Sequence, residues 1–544
     1  MKQQHKVKVL AGAVALALAQ LSQTASADVP GACDVSTNAF GSAGAAAAGI
    51  LDVYFAGASA PQNVLNALVS TYVPSRTTVF SKATGSSSAG ADYFAICGTV
   101  TSMPTGYTSL NGKTLRLINR AAGGSGYGVY PIALNAAINI MSLASADCTS
   151  VTATDHQFEC GLSASNYTPD MGVSDVEPRM FKGPYNLEAD FPTQLTTAQL
   201  NAINTTTFRV FDEIFGLAAT PLVTNVKSDF SRTEIASILG GKKVTWSSLG
   251  VTLPGASGNA GDNINVCRRV TGSGTQAFFN AYFSNFPCGV GNVVQGGNLA
   301  PIAQADGTGS GAPVSGTGTS GDPYIIDPTT GNVVVENPAS GDVRTCLKNA
   351  DTGTDYSYSK RELLSGVPTD VFYTVQWSKT NPATGSARWP AVGLLSLDSA
   401  GKTNGGTPGL NASGFPSAVG TNWNFTKIDG IAPVLENGAS GLYDVVSELT
   451  FQYLGSHFTG LTDSANRLLF VQFFVAAASD QTVLRLQPTP LVYAFPANPN
   501  DKGLSGSLNC SWSSSLNWAG PGLPTCITSR WTRGGQFCSP AFAK

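Results

Sequence analysis

Short apolar runs that end in glycine turns and give way to helical spacing recur between residues 51 and 280, and this alternation constrains the fold most. LDVYFAGASA reads as a strand entering a turn, and PQNVLNALVSTYV as a helix with apolar residues at helical spacing. KTLRLINRAAGGSGYG again carries a strand into a glycine-rich turn, and RTEIASILGG is a helix stopped by glycines. Strands that alternate with helices in this way predict parallel-sheet α/β layers. In such sheets ligands sit at the carboxyl ends of the strands, where these glycine turns fall. Late in the chain, DSANRLLFVQFFVAAAS predicts a further helix with a wide apolar face and Asp463 as its cap.

The 544 residues suffice for two or three domains with a sizeable core. Only 12% are charged, the net charge is -3, and no basic run appears that would track a phosphate backbone, which argues against a nucleic-acid partner. Hydrophobic residues still reach 42%, too many for a disordered chain. Lys2, Lys6 and Lys8, the apolar VLAGAVALALA and the small residues Ala25-Ser26-Ala27 together predict a signal peptide, residues 1–27, cleaved after Ala27. That apolar run falls short of the ~20 residues a membrane span needs. The expectation is a periplasmic or secreted monomer without direct membrane insertion.

All ten cysteines follow position 27: Cys33, Cys97, Cys148, Cys160, Cys267, Cys288, Cys346, Cys510, Cys526 and Cys538. In an oxidising compartment they predict up to five disulfides, with Cys148 and Cys160 close enough to close a small loop. There is no Cys-x-x-Cys, and beyond the leader only His156 and His457 remain, so neither a metal site nor a cofactor is expected. From about Gly289 to Asp342 the chain has almost nothing to bury and reads as a long loop or flexible insertion, with order resuming near Asp355. Residues 506–544, with three cysteines and Trp512, Trp518 and Trp531, read as a small disulfide-stapled appendage whose tryptophans form its core.

Four turns carry groups suited to an anion. Gly57-Ala58-Ser59-Ala60-Pro61 follows a strand and opens a helix, where unpaired backbone amides carry partial positive charge. Gly123-Gly124-Ser125-Gly126 lets backbone approach a ligand closely. DMGVSDVEP ends a strand in Ser174-Asp175, and CRRVTGSGTQAFFNAYF sets Arg269 four residues ahead of Ser273-Gly274-Thr275 at the mouth of a helix. Each turn alone has an ordinary structural reading; the case rests on the four together.

These segments resemble the periplasmic phosphate-binding proteins of ABC importers, within the two-lobed class of solute-binding proteins. GASAP stands where that family has a Gly-Ala-x-x-x-Pro turn, and GVSDVEP resembles its Gly-Ala-Ser-Asp segment. PLVTNVKSDFSRTEIASILGGKKVTWSSLG, RRVTGSGTQAFFNAYF and IDGIAPVLENGASGLYDVVSELTFQY resemble its later segments, so the likeness spans about residues 48–495 apart from insertions. The resemblance implies a two-lobed α/β fold: residues 28–222 in a first lobe completed by 445–505, and 223–444 in a second lobe carrying a Gly-rich insertion, 289–345. It implies that closure about a hinge buries phosphate between the lobes, for delivery to an ABC permease.

Carried over by position, the resemblance gives Ser59 a hydroxyl and amide, and Ala60 a backbone amide. Arg269 makes a charge-assisted contact, itself held by an acid. Ser273, Gly274 and Thr275 supply helix-start amides and hydroxyls. The family's second turn usually reads Gly-Ser-Ser-Gly; here Gly124 takes the first serine position and Ser125 lies a register away, so one hydroxyl donor is expected to be missing or shifted. Insertions at 131–168 and 289–345 are also foreign to those importers.

Asp175 sets the ligand chemistry. A buried carboxylate repels an oxyanion unless a proton lies between them, and phosphate carries that proton whereas sulfate at neutral pH does not. An acceptor left unpaired in a dry site costs about 1–3 kcal/mol. Two other uses keep the same fold: a secreted phosphate-scavenging or structural protein, and a phosphatase-like hydrolase. Against the hydrolase, Ser59, Ser125 and Ser273 have no obvious histidine partner, and a tightly enclosed oxyanion leaves no room for a leaving group. No catalytic residue is therefore expected.

Overall fold

The computed structural model describes residues 33–81, 93–151, 157–255, 258–288, 313–400, 405, 407–410, 416–418, 421–480, 494–496, 531–532, 538 and 542–543. One sheet of 14 strands runs through both halves of the molecule. In the first lobe, Ile50–Gly57 lies parallel between Thr114–Arg120 and Met171–Ser174, and antiparallel strands Tyr93–Thr99 and Arg76–Ser81 extend the edge. In the second, Asn265–Arg269 lies parallel between Val334–Asn337 and Ala391–Ser396. The expected two-lobed α/β architecture is present, with parallel pairings at the centre of each lobe and antiparallel strands completing it.

A single long strand, Thr207–Ala219, joins the lobes. Its first part pairs antiparallel with Val446–Gln452, and its second, from Phe215, with Ala391–Ser396. Val446–Gln452 in turn pairs with Met171–Ser174, so the chain comes back to the first lobe after building the second. The late helix, Ser464–Ser479, follows and covers that lobe's sheet: Phe470 and Phe474 pack on Phe55, and Phe473 meets Tyr72 and Tyr107 edge-on. Each such buried aromatic contributes roughly 1.5–3 kcal/mol. Asp463 stands at the N-cap with φ 54°, but its side chain makes no capping bond. The predicted helices Gln62–Tyr72 and Arg232–Leu239 form, the latter with Ser231 and Glu234 bonded reciprocally in a capping box.

The region read as a structureless insertion is largely structure from residue 313 onward. Val334–Asn337 is a fully buried strand of the main sheet, and Ser340–Thr352 is a helix packed on it. The β-branched run Val333-Val334-Val335 explains the strand; its signal was diluted by the glycine-rich residues before it. The part of the insertion before 313, from 289, lies outside the described residues, as do the leader, His156 and most of 506–544. The 131–168 insertion folds back on the first lobe, where Ile138, Ile140, Met141 and Phe158 form a satellite core with Tyr54, Tyr93 and Cys97. Cys148–Cys160 is disulfide-bonded as expected, and Cys33–Cys97, Cys267–Cys346 and Cys288–Cys538 are bonded as well. The last ties the tail to the second lobe; Cys510 and Cys526 lie outside the described residues. Among the described residues no helix is long and apolar enough to cross a membrane.

Candidate anion-binding site

The four glycine turns meet where the lobes face each other. From the first lobe, Ser59 follows Ile50–Gly57, Gly124-Ser125 opens the helix Gly126–Leu134, and Asp175 follows Met171–Ser174. From the second, Asn265–Arg269 delivers Arg269 and a four-residue turn starts the helix Gly274–Ser284. Ser273 is the N-cap of that helix, its hydroxyl accepting from the Gln276 amide, and Phe278 and Phe279 anchor the other face in the core. Ser59, Ala60, Ser125, Asp175, Arg269, Ser273, Gly274 and Thr275 are all buried.

Contacts across the two lobes are direct. Arg269 Nη1 donates to Ser59 Oγ at 2.9 Å and to Ser340 Oγ at 3.1 Å. Its Nε and Nη2 donate to the carbonyls of Asn337 and Pro338, which fix the plane of the guanidinium. Thr275 Oγ1 donates to Asp175 Oδ2 at 2.8 Å, and the Asp175 amide donates to Ser125 Oγ at 3.0 Å. Ser125 thus sits at the site despite its shifted register, and its own hydroxyl hydrogen has no acceptor among the described residues. Gly124, at φ +76°, lies so close that a Cβ there would stand 3.2 Å from Arg269 Nη2. A Cβ on Gly274 would stand 2.2 Å from Ser125 Oγ, so only glycine lets this helix start approach the first lobe.

Two carboxyls set the electrostatics. Burial pushes Asp175 up to about 6, opposed by the hydrogen bonds from Thr275 and the charge of Arg269. Its Oδ1 is buried and has no hydrogen-bond partner among the described residues. Burial, with the neighbouring Asp190 charge, pushes Glu188 up to about 8. Glu188 Oε2 is likewise buried without a partner among the described residues, and a Cβ on Gly272 would stand 2.3 Å from it. A protonated Glu188 is both donor and acceptor, placed against the Arg269–Thr275 turn.

Several features of the site, Glu188 among them, were not anticipated from the sequence. Ser340, at the start of the helix Ser340–Thr352, contacts both Ser59 and Arg269, so a fourth helix start joins those after Ser59, Ser125 and Ser273. The Cys267–Cys346 disulfide ties this helix to the strand that carries Arg269. Beside the grip, a cleft of about 450 Å³ opens between the lobes, walled by Gly123, Glu188, Val270 and Pro338 and, farther out, by tyrosines and acids. None of the predicted grip residues lines this cleft; they stay buried beside it. Among the described residues no cluster of His, Cys, Asp or Glu could hold a metal ion.

No family model matches the chain, and no curated protein matches it either. Among solved structures it is similar to one described as a phosphate ABC transporter substrate-binding protein with bound phosphate from Clostridium perfringens (12% identity, 79% of this chain and 96% of that one, TM-score 0.35). It is also similar to an ABC-type phosphate transport receptor from Vibrio cholerae (10% identity, 77% and 98%, TM-score 0.30). A third is a phosphate-binding protein from Stenotrophomonas maltophilia (13% identity, 80% and 83%, TM-score 0.32). Likeness at this level carries no weight for the site, which stands on this chain's own geometry.

Proposed function

We propose that this chain is an exported solute-binding protein that holds inorganic phosphate between its lobes, for uptake through an ABC-type permease, without transforming it. Arg269 supplies the charge, and the starts of the helices after Ser59-Ala60, Gly124-Ser125 and Ser273-Gly274-Thr275 supply donors from both sides. One observation carries the reading: Asp175 presents a buried carboxylate oxygen without a hydrogen-bond partner among the described residues, in the midst of these donors. A site made of donors alone would accept any oxyanion, whereas one acceptor demands an anion that brings a proton.

Calorimetry on the oxidised protein, titrated with phosphate and with sulfate, tests this. Phosphate is expected to bind and sulfate to be rejected. In Asp175→Asn the phosphate preference should fall by roughly 10- to 150-fold, the equivalent of a hydrogen bond to a charged group worth about 1.5–3 kcal/mol. Equal binding of both anions by the unmodified protein would refute the reading.

A further inference from the structure

The cleft beside the grip is continuous in sequence with it. Gly123 precedes Gly124, Val270 follows Arg269, and Pro338 accepts the Arg269 Nη2 bond while lining the cleft. At about 450 Å³ it falls within the ~300–1,000 Å³ of small-molecule sites. A lone orthophosphate ion held at Arg269 would leave most of this space unfilled.

The walls decide what kind of group fits. Two of the three cations there are matched by acids: Arg361 Nε donates to Asp190 at 3.0 Å and its Nη1 to Asp370 at 3.1 Å. Lys360 is bonded to Glu336 and Glu362. Arg120 stacks on the Tyr127 ring at 3.9 Å and donates to Tyr93 Oη and Asn139 Oδ1, each at 2.7 Å. A second strongly charged group would therefore have to break the Arg361 and Lys360 pairs or draw Arg120 away from the neutral groups that hold it. What remains on the walls is uncharged polar side chains, Asn139, Thr345, Asn349, Ser357 and Ser359, beside the Glu188 carboxyl, 4% exposed, with Oε2 partnerless among the described residues. Hydroxyls and amides around a small space suit hydroxylated carbon rather than a bare hydrocarbon or a second anion.

We infer that the cleft walled by Glu188, Tyr127 and Tyr358 is a subsite for the organic part of a phosphomonoester, a small polyhydroxylated group whose phosphate is held by Arg269 and the Ser273-Gly274-Thr275 helix start. This rests on the proposed phosphate reading and extends it from the free ion to a sugar- or polyol-phosphate.

Calorimetry with inorganic phosphate, glycerol 3-phosphate, glucose 6-phosphate and pyrophosphate tests it, on the unmodified protein and on Leu162→Trp and Ser357→Trp. Both substituted residues are exposed on the cleft rim, one from each lobe, and neither belongs to the grip, so the fold should tolerate them. At least one hydroxylated ester is expected to bind within tenfold of phosphate. Each tryptophan should weaken that ester at least tenfold while changing phosphate less than twofold. Binding of phosphate or pyrophosphate with rejection of both hydroxylated esters would overturn the inference and leave the phosphate reading standing. Ester binding unaffected by either tryptophan would overturn it too. Failure of every phosphorylated ligand would overturn the phosphate reading itself.

Discussion

Glu188 offers a perturbation whose size follows from its surroundings. Its carboxyl is 4% exposed, and burial beside Asp190 raises it from 4.5 to about 8 in the folded protein. Below pH 4.5 the group is protonated whether the chain is folded or not, and the native state carries no penalty. As pH rises the unfolded chain ionises first, so the native state holds the extra proton and stability falls until the folded group itself ionises near pH 8. A shift of that size amounts to about 3 kcal/mol of lost stability by pH 7 and about 5 kcal/mol above pH 8. Glu188→Gln keeps the shape and the hydrogen-bonding groups but removes the ionisation. Urea unfolding of both proteins from pH 4 to 9 should show the variant gaining on the parent by about those amounts as pH rises. Asp175, pushed up to about 6, has the same sign, so only the difference between the two proteins isolates Glu188. Parallel profiles across this range would refute the claim that the carboxyl is held neutral by burial.

Two further outcomes bear on the grip. The double variant Cys267→Ala/Cys346→Ala opens a link spanning 79 residues and should cost about 4–5 kcal/mol in denaturant unfolding; phosphate affinity should fall with it, because the link joins the Arg269 strand to the Ser340 helix. Gly274→Ala places a methyl 2.2 Å from Ser125 Oγ and should lower phosphate affinity at least tenfold in calorimetry while far-UV circular dichroism stays unchanged; unaltered affinity would show that the lobes do not close on this contact.

Much of this site was legible because its chemistry is written in local turns. Arg269 with Ser273-Gly274-Thr275 is a strand end and a helix start separated by three residues, and that proximity needs no tertiary knowledge. Asp175 was readable for the same reason, as the polar end of an apolar strand. Ser340 was not: the buried strand before it, Val334–Asn337, is short, and the glycine-rich residues upstream masked its β-branched signal. Glu188 sits in YNLEADFP, where no periodicity distinguishes a buried acid from a solvated one. Its environment is made by the Gly272 turn and Asp190 folding around it, and long-range packing of that kind leaves no local mark. The cleft is likewise a product of two lobes facing each other, which no single segment encodes.

The strand Thr207–Ala219 changes partners in mid-course, with Ile214 still paired to Val446 and Phe215 already opposite Ser396. The two jaws are therefore one elastic body, not rigid blocks on a loose string. Any opening of the proposed site would be taken up as twist along this hydrogen-bonded ribbon, which would pull back. On the proposed function, such a spring would favour small, quickly reversed excursions, and a captured ion would escape only when the whole sheet flexes. Amides at Ile214 and Phe215 should then be among the slowest to exchange with solvent, although they lie at the point about which everything moves.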